Sequence, residues 1–129
     1  MGASNFAGLA IPKPEPHKRS KGRAERAQAK ADRLVYQHVN QRDGLRCRAC
    51  GVYAGIDAHR HHLVSKKITT PEAVCCVCEE CHDCLHVRVG GKLMQLSGDA
   101  EARDRFGRLC GLVLEVRQND GSWRVETGL

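Results

Sequence analysis

Residues 73–86 read Ala73-Val74-Cys75-Cys76-Val77-Cys78-Glu79-Glu80-Cys81-His82-Asp83-Cys84-Leu85-His86, and the reading of this stretch decides the fold. Five cysteines and two histidines fall within fourteen residues. Upstream, Cys47-Arg48-Ala49-Cys50 supplies another Cys-x2-Cys pair, with 27 residues between Cys50 and Cys78. Two such knuckles can wrap one Zn²⁺ tetrahedrally with four thiolates and no open position, which makes a structural site. Spacing leaves the register of the second knuckle open. Cys75, Cys78, Cys81 and Cys84 recur at every third residue, so Cys75/Cys78, Cys78/Cys81 and Cys81/Cys84 all qualify. The surplus cysteines, Cys76, Cys84, Cys110 and Cys75, are expected to be buried as small hydrophobes.

The whole chain explains why a staple is needed. It has 129 residues, eight cysteines, seven histidines and only two Phe, two Tyr and one Trp. That length fits one domain with tails, and a core so poor in aromatics needs a metal or disulfides. Met1 to Pro16 shows no export signal, and no run of 18 apolar residues would cross a membrane. Phe6 stands where a myristoylation signal requires Ser or Thr. The expected compartment is therefore the cytoplasm, where paired cysteines hold metal more often than they form disulfides. Residues 1–46 hold ten Lys/Arg against four Asp/Glu, while residues 47–129 are balanced at eleven each. A basic arm on a neutral domain fits a polyanion, or serves only as a solubilising tail.

The order of elements points to an α+β protein. Residues 1–17 read as a leader without fixed structure, broken by Pro12, Pro14 and Pro16. Residues 18–44 form a basic arm, helical over Lys21–Gln41, whose second half docks through Leu34, Val35, His38 and Val39 and ends at Asp43-Gly44. Its first half lacks an apolar stripe and is expected to be helical only conditionally. Residues 45–98 hold the core: a knuckle at 45–50, a strand over 55–63, a loop over 65–73, a helix over 79–89, a turn at Gly90-Gly91, and a strand over 92–97. Residues 99–129 form an extension, with a helix over 99–110 and a hairpin of 112–117 and 122–126 around Asn119-Asp120-Gly121.

The histidines carry the chemical signal. His61 and His62 sit side by side on a predicted strand, so their side chains point to opposite faces, and His82 and His86 share one helical face. His61, His82 and His86 can present three imidazoles to a divalent ion, leaving His62 free for a proton. His59 lies on the His61 face, where it joins the site or contacts phosphate. His17 and His38 have no such company and read as ordinary.

Three ordered motifs resemble the HNH endonuclease family, in its four-cysteine zinc subtype. They are Arg46-Cys-Arg-Ala-Cys-Gly51, His61-His-Leu63, and Val77-Cys-Glu-Glu-Cys-His82 with His86. The likeness covers residues 32–98. Val35-Tyr-Gln-His-Val-Asn-Gln-Arg-Asp-Gly44 and His86-Val-Arg-Val-Gly-Gly-Lys-Leu93 add a likeness to small stand-alone HNH proteins of phages and prophages. The resemblance implies a small zinc-stapled ββα-metal domain with a flanking helix and a C-terminal hairpin. Because the family places a histidine directly after the second knuckle, it also implies Cys47, Cys50, Cys78 and Cys81 as the zinc set. It implies His61, His82 and His86 as catalytic-metal ligands, and His62 as general base. One position departs from the pattern. Ala73 stands where the family has an asparagine that braces the base histidine, so the brace is expected from the backbone or from Thr70.

The activity implied is metal-dependent hydrolysis of DNA phosphodiester bonds, in duplex or in nicked or branched DNA, by nicking. His62 would deprotonate the attacking water, with Arg88 and Lys66 holding the phosphate. Arg19, Lys21, Arg23, Arg26, Lys30 and Arg33 of the arm, with Arg60 and Lys67, are the expected nucleic-acid contacts. Mg²⁺ is the family default for the catalytic metal, although imidazole ligands suit Mn²⁺, Ni²⁺ or Zn²⁺ better. Double-strand cleavage would need a homodimer or two sequential events. The alternatives are a zinc-stapled DNA-binding module that does not cut and an accessory of phage packaging machinery; RNA also stays open as the substrate.

Overall fold

A computed structural model describes residues 22–87 and 90–128. The expected leader at 1–17, with His17, and the expected contacts Arg19, Lys21 and Arg88 lie outside the described residues.

Helix α1 spans Arg23–Asp43 and is built largely from Ala, Arg, Lys, Glu and Gln, all strong helix formers apart from its polar interruptions. Gly44 ends it in the left-handed region, at φ 61°, with its N–H on the Asn40 carbonyl. Nearly every residue from Arg23 to Ala31 is exposed, yet this half is helical too. The second half docks through buried Val39, with Val35 and Tyr36 packed beside it. Leu34, expected on that docking face, stays exposed.

Strand β1 (His59–His62) pairs antiparallel with β2 (Val74–Val77), setting His59 opposite Val77 and His61 opposite Cys75. β1 is shorter than the predicted 55–63 because Gly55–Asp57 forms a 3-10 turn ahead of it. β2 is buried on both faces. Cys75 and Val77 pack with Leu85, Leu96, Leu112 and Leu114, while Val74 and Cys76 pack with Val39 and Ala58 under α1. Such a strand carries no polar alternation, which is why the residue pattern does not assign it.

Helix α2 (Glu79–Leu85) follows directly from Cys78, and His86 leaves it in an extended conformation, so the helix stops short of the predicted 89. A second antiparallel sheet has the order β3 (Met94–Gly98), β4 (Leu112–Arg117), β5 (Trp123–Gly128). The β4–β5 hairpin stands where its turn residues predict it. The Gln118 N–H reaches the Ser122 carbonyl at 2.7 Å, and Asp120 accepts from the Ser122 N–H at 2.9 Å. The protein is thus a small α+β fold with two helices and two antiparallel sheets among the described residues.

The predicted helix over 99–110 does not form. The segment is a series of turns closed by a bridge between Arg103 and Leu109. Its backbone donors are drawn elsewhere: Asp99 and Asp104 side chains take the N–H groups of Glu101, Phe106 and Arg108, and the Ala100 N–H goes to the Glu72 carbonyl. Such local side-chain bonds compete directly with helix. Gly107, at φ 78°, completes the break. Cys75 and Cys76 are buried as expected, but Cys84 is half-buried and Cys110 is exposed.

A buried ion network ties these parts together. Arg42 grips Asp43 through two bonds of 2.7 and 3.0 Å, and Arg48 adds a third at 2.9 Å. The Asp43 carboxylate also accepts the Cys76 N–H at 2.9 Å. Arg42 reaches Glu101 at 2.6 Å and the carbonyls of Pro71 and Val74. With both side chains of the Arg42–Asp43 pair essentially excluded from solvent, the end of α1 is locked to the first knuckle, β2 and the 99–101 turn. An aspartate at a helix C-terminus opposes the macrodipole, so the two arginines are what make it tolerable there.

Candidate metal centres

The Sγ atoms of Cys47, Cys50, Cys78 and Cys81 all lie within 4.8 Å of one another. Cys50 and Cys78 are 3.8 Å apart. Four sulfurs at ~2.3 Å from a tetrahedral ion sit roughly 3.8 Å apart, so this set can hold a structural metal such as zinc. All eight cysteines are free thiols. The knuckle geometry is local: the Gly51 N–H closes on the Cys47 carbonyl at 2.8 Å, and the Cys50 N–H points at Cys47 Sγ at 3.4 Å. Burial alone would raise the Cys47 pKa, but backbone N–H groups of Cys78, Cys50 and Ala49 outweigh it and lower it, favouring the thiolate. Burial raises Cys50 and Cys81 of the same set. It also pushes Cys75 and Cys76 up to about 12 and about 11, so what marks those two is their place in β2, away from the four clustered sulfurs. Those two are packing residues. Position, not spacing, separates the ligand thiols from the rest.

A second group forms beside the first. Ring nitrogens of His61, His82 and His86 fall within 4.8 Å of one another, and the Nε2 atoms of His82 and His86 approach to 2.8 Å. β1 contributes His61, α2 contributes His82, and the first residue past α2 contributes His86. Burial, joined by His82, His86 and Lys92, pushes His61 down to about 4, and burial also lowers His82. Neutral imidazoles with free lone pairs are what a divalent ion requires. Among the described residues, no carboxylate joins this set. His59 does not join it as a ligand. Its ring stacks flat on His82 at 4.4 Å, with 4° between planes, and so fixes the orientation of that imidazole.

His62 lies on the other face of β1, towards α1. Its Nε2 is 3.2 Å from Thr69 Oγ1 and 3.4 Å from the Tyr36 hydroxyl, with the Tyr36 ring edge-on at 6.1 Å. Burial lowers its pKa as well. Thr69, not Thr70, is the threonine whose hydroxyl meets His62. Ala73 contributes its carbonyl, which accepts the Leu63 N–H at 2.8 Å just beyond the histidine pair.

Both faces open onto one cavity of about 600 Å³, lined among others by Tyr36, Arg60, His61, His62, Lys66 and Lys92, together with His82 and His86. Arg60 lies over the Tyr36 ring at 5.7 Å. Lys67 is exposed and does not line the cavity. Tyr36, Thr69 and Lys92 escape a reading of the sequence. Tyr36 comes from a helix 26 residues before its partner, and only the tertiary fold places it there. Arg23, Arg26, Lys30 and Arg33 recur along the exposed part of α1, at i, i+3, i+7 and i+10, which gathers them on one helix face. His38 is not solitary: its Nε2 pairs with Glu101 at 2.7 Å.

No protein-family model, curated protein or solved structure matches the chain. No helix among the described residues is long and apolar enough to cross a membrane. What the fold and sites define is a small α+β protein with a four-cysteine group suited to a structural metal, beside a separate three-histidine group.

Proposed function

We propose that the protein is a metal-dependent HNH-type endonuclease that nicks DNA. The observation that carries this reading is the meeting of four imidazoles and three cationic side chains at one cavity, apart from a closed four-thiol group. Cys47, Cys50, Cys78 and Cys81 would hold zinc as a staple. His61, His82 and His86 would hold the catalytic divalent ion, which supplies Lewis-acid chemistry to the phosphate and to the departing 3′-oxygen. Three imidazoles without a carboxylate favour Mn²⁺, Ni²⁺ or Zn²⁺ over Mg²⁺.

The remaining work belongs to the chain itself. His62 has Nε2 engaged by Thr69 and Tyr36, which leaves Nδ1 to take the proton from the attacking water. Its lowered pKa keeps it neutral, as a base must be, at pH 7. Lys66, Arg60 and Lys92 line the same cavity and would hold phosphate oxygens. The basic face of α1, from Arg23 to Arg33, would bind the backbone of the duplex beyond the cut.

The test is plasmid nicking in Mg²⁺, Mn²⁺, Ni²⁺ or Zn²⁺. Wild-type protein nicks in at least one of them, and His62→Ala loses 100-fold or more of the rate, in keeping with loss of a general base at roughly 10²–10⁴-fold. Equal cutting by both proteins, or none in any metal, would sink the mechanism. A non-cutting DNA-binding module is the second reading, favoured by Ala73, which offers no side-chain amide where the resemblance expects one. Binding by wild type without nicking in any metal would select it.

A further inference from the structure

The loop Arg103-Asp104-Arg105-Phe106-Gly107-Arg108 stands outside everything assigned so far. Asp104 builds it from within: its carboxylate accepts from the N–H groups of Phe106 at 2.8 Å and Arg108 at 3.0 Å, and from Arg108 Nε at 3.1 Å. The Asp104 N–H returns to the Arg108 carbonyl at 2.9 Å, and Arg103 Nη1 donates to the Gly107 carbonyl at 2.7 Å. A loop with this many internal bonds holds its shape without help from the core.

Phe106 sits on it with 65% of its surface exposed. The guanidinium carbons of Arg105 and Arg108 lie 4.7 and 5.2 Å from its ring centre. The chain has only two phenylalanines, and this one is exposed with two guanidiniums beside its ring. An apolar protein pocket would have to desolvate both guanidiniums to reach the ring, which is expensive without paired acids. A nucleic acid meets both needs at once: phosphates for the arginines, and flat bases or sugars for the ring. The three arginines outnumber the loop's one aspartate, which pairs with Arg108 through Nε and leaves the loop with a net positive charge.

We infer that residues 103–108 form a second nucleic-acid contact, with Phe106 packed on a base or sugar and Arg105 and Arg108 on the adjoining phosphates. It shares with the proposed function the class of ligand, but does not depend on cleavage. Glu101, bonded to Arg42 and His38, places the loop near the C-terminal end of α1, while the basic face occupies the other half of that helix. α1, with 21 residues, is about 30 Å long, so the two contacts would grip well-separated stretches of one strand or duplex.

The experiment is fluorescence anisotropy with a labelled 20-base single strand and its duplex, using zinc-loaded full-length protein without added catalytic metal. Phe106→Ala should weaken binding to at least one of them about fivefold or more, as loss of one stacked base does. Phe106→Trp should retain wild-type affinity, and Arg105→Gln should lower the slope of log affinity against log salt by about one. Melting temperatures should stay unchanged, since neither side chain is in the core. A larger Phe106 effect on the single strand than on the duplex identifies a base as the contact; equal effects identify the sugar. Phe106→Ala binding within twofold of wild type on both probes overturns the inference, as does a wild type that binds neither. If plasmid nicking is intact while Phe106 is neutral, this contact fails and the nuclease reading stands. If binding depends on Phe106 but no metal supports nicking, the reverse holds.

Discussion

At the scale of single residues, Thr69 has the most specific job. It touches His62 at Nε2, and its hydroxyl can fix which ring nitrogen keeps the hydrogen. On the proposed mechanism, Thr69→Val should slow nicking by about tenfold, the usual order for an outer-shell partner, while Thr69→Ser restores it. A Thr69→Val protein that nicks at the wild-type rate would remove Thr69 from the mechanism. His61, His62, His82 and His86 were legible in the sequence because an adjacent doublet and an i, i+4 pair flank the cysteine knuckles, and the family resemblance joins the two. Thr69 and Tyr36 were not, because nothing near them in the chain announces a partner 7 or 26 residues away, and Lys92 reaches the cavity from a later segment. Position 73 is a related lesson: the sequence shows Ala73 where the HNH resemblance expects an asparagine, but only the fold shows which hydroxyl stands near His62.

Among the elements, the junction of α1 with the 99–101 turn is held by charge, and its pH behaviour follows. Burial by itself would raise the Glu101 pKa, but hydrogen bonds from Arg42 and His38 outweigh it and lower it. A carboxylate whose pKa is lower in the folded state stabilises the fold above its ordinary value, ~4.3, and loses that contribution as pH falls through the lowered one. Wild type should therefore melt higher than Glu101→Gln near pH 7, with the difference shrinking below about pH 4.3. A difference that stays constant down to pH 3 would show that the junction rests on packing instead. The same junction explains the main misreading. Alanine and arginine between 99 and 110 look helical by propensity, with Asp99 as a cap, yet Asp99 and Asp104 capture the backbone locally and Ala100 is drawn to Glu72. α1 and the β4–β5 hairpin were readable because capping glycine and turn residues act within a few positions. β2 was not, because burial on both faces erases its period.

For the molecule as a whole, the four-thiol group should be the staple of a core whose largest fully buried side chain is Leu112. Cys47→Ser should lose bound zinc and lower the melting temperature by 10 °C or more, whereas His82→Ala should keep zinc at one equivalent and melt like wild type. Metal analysis paired with thermal melts checks both, and a Cys47→Ser protein as stable as wild type would refute the staple. Cys81 and His82, adjacent on one short helix, belong to different groups. That adjacency imposes a hierarchy of failure. If the three imidazoles hold the proposed catalytic ion, a weak chelator with access only to them should silence the molecule and wash out, leaving it whole. A strong one that takes an ion held by the four thiols would free the short helix carrying His82 and leading into His86, and so would abolish both centres together. Dependence runs in one direction only.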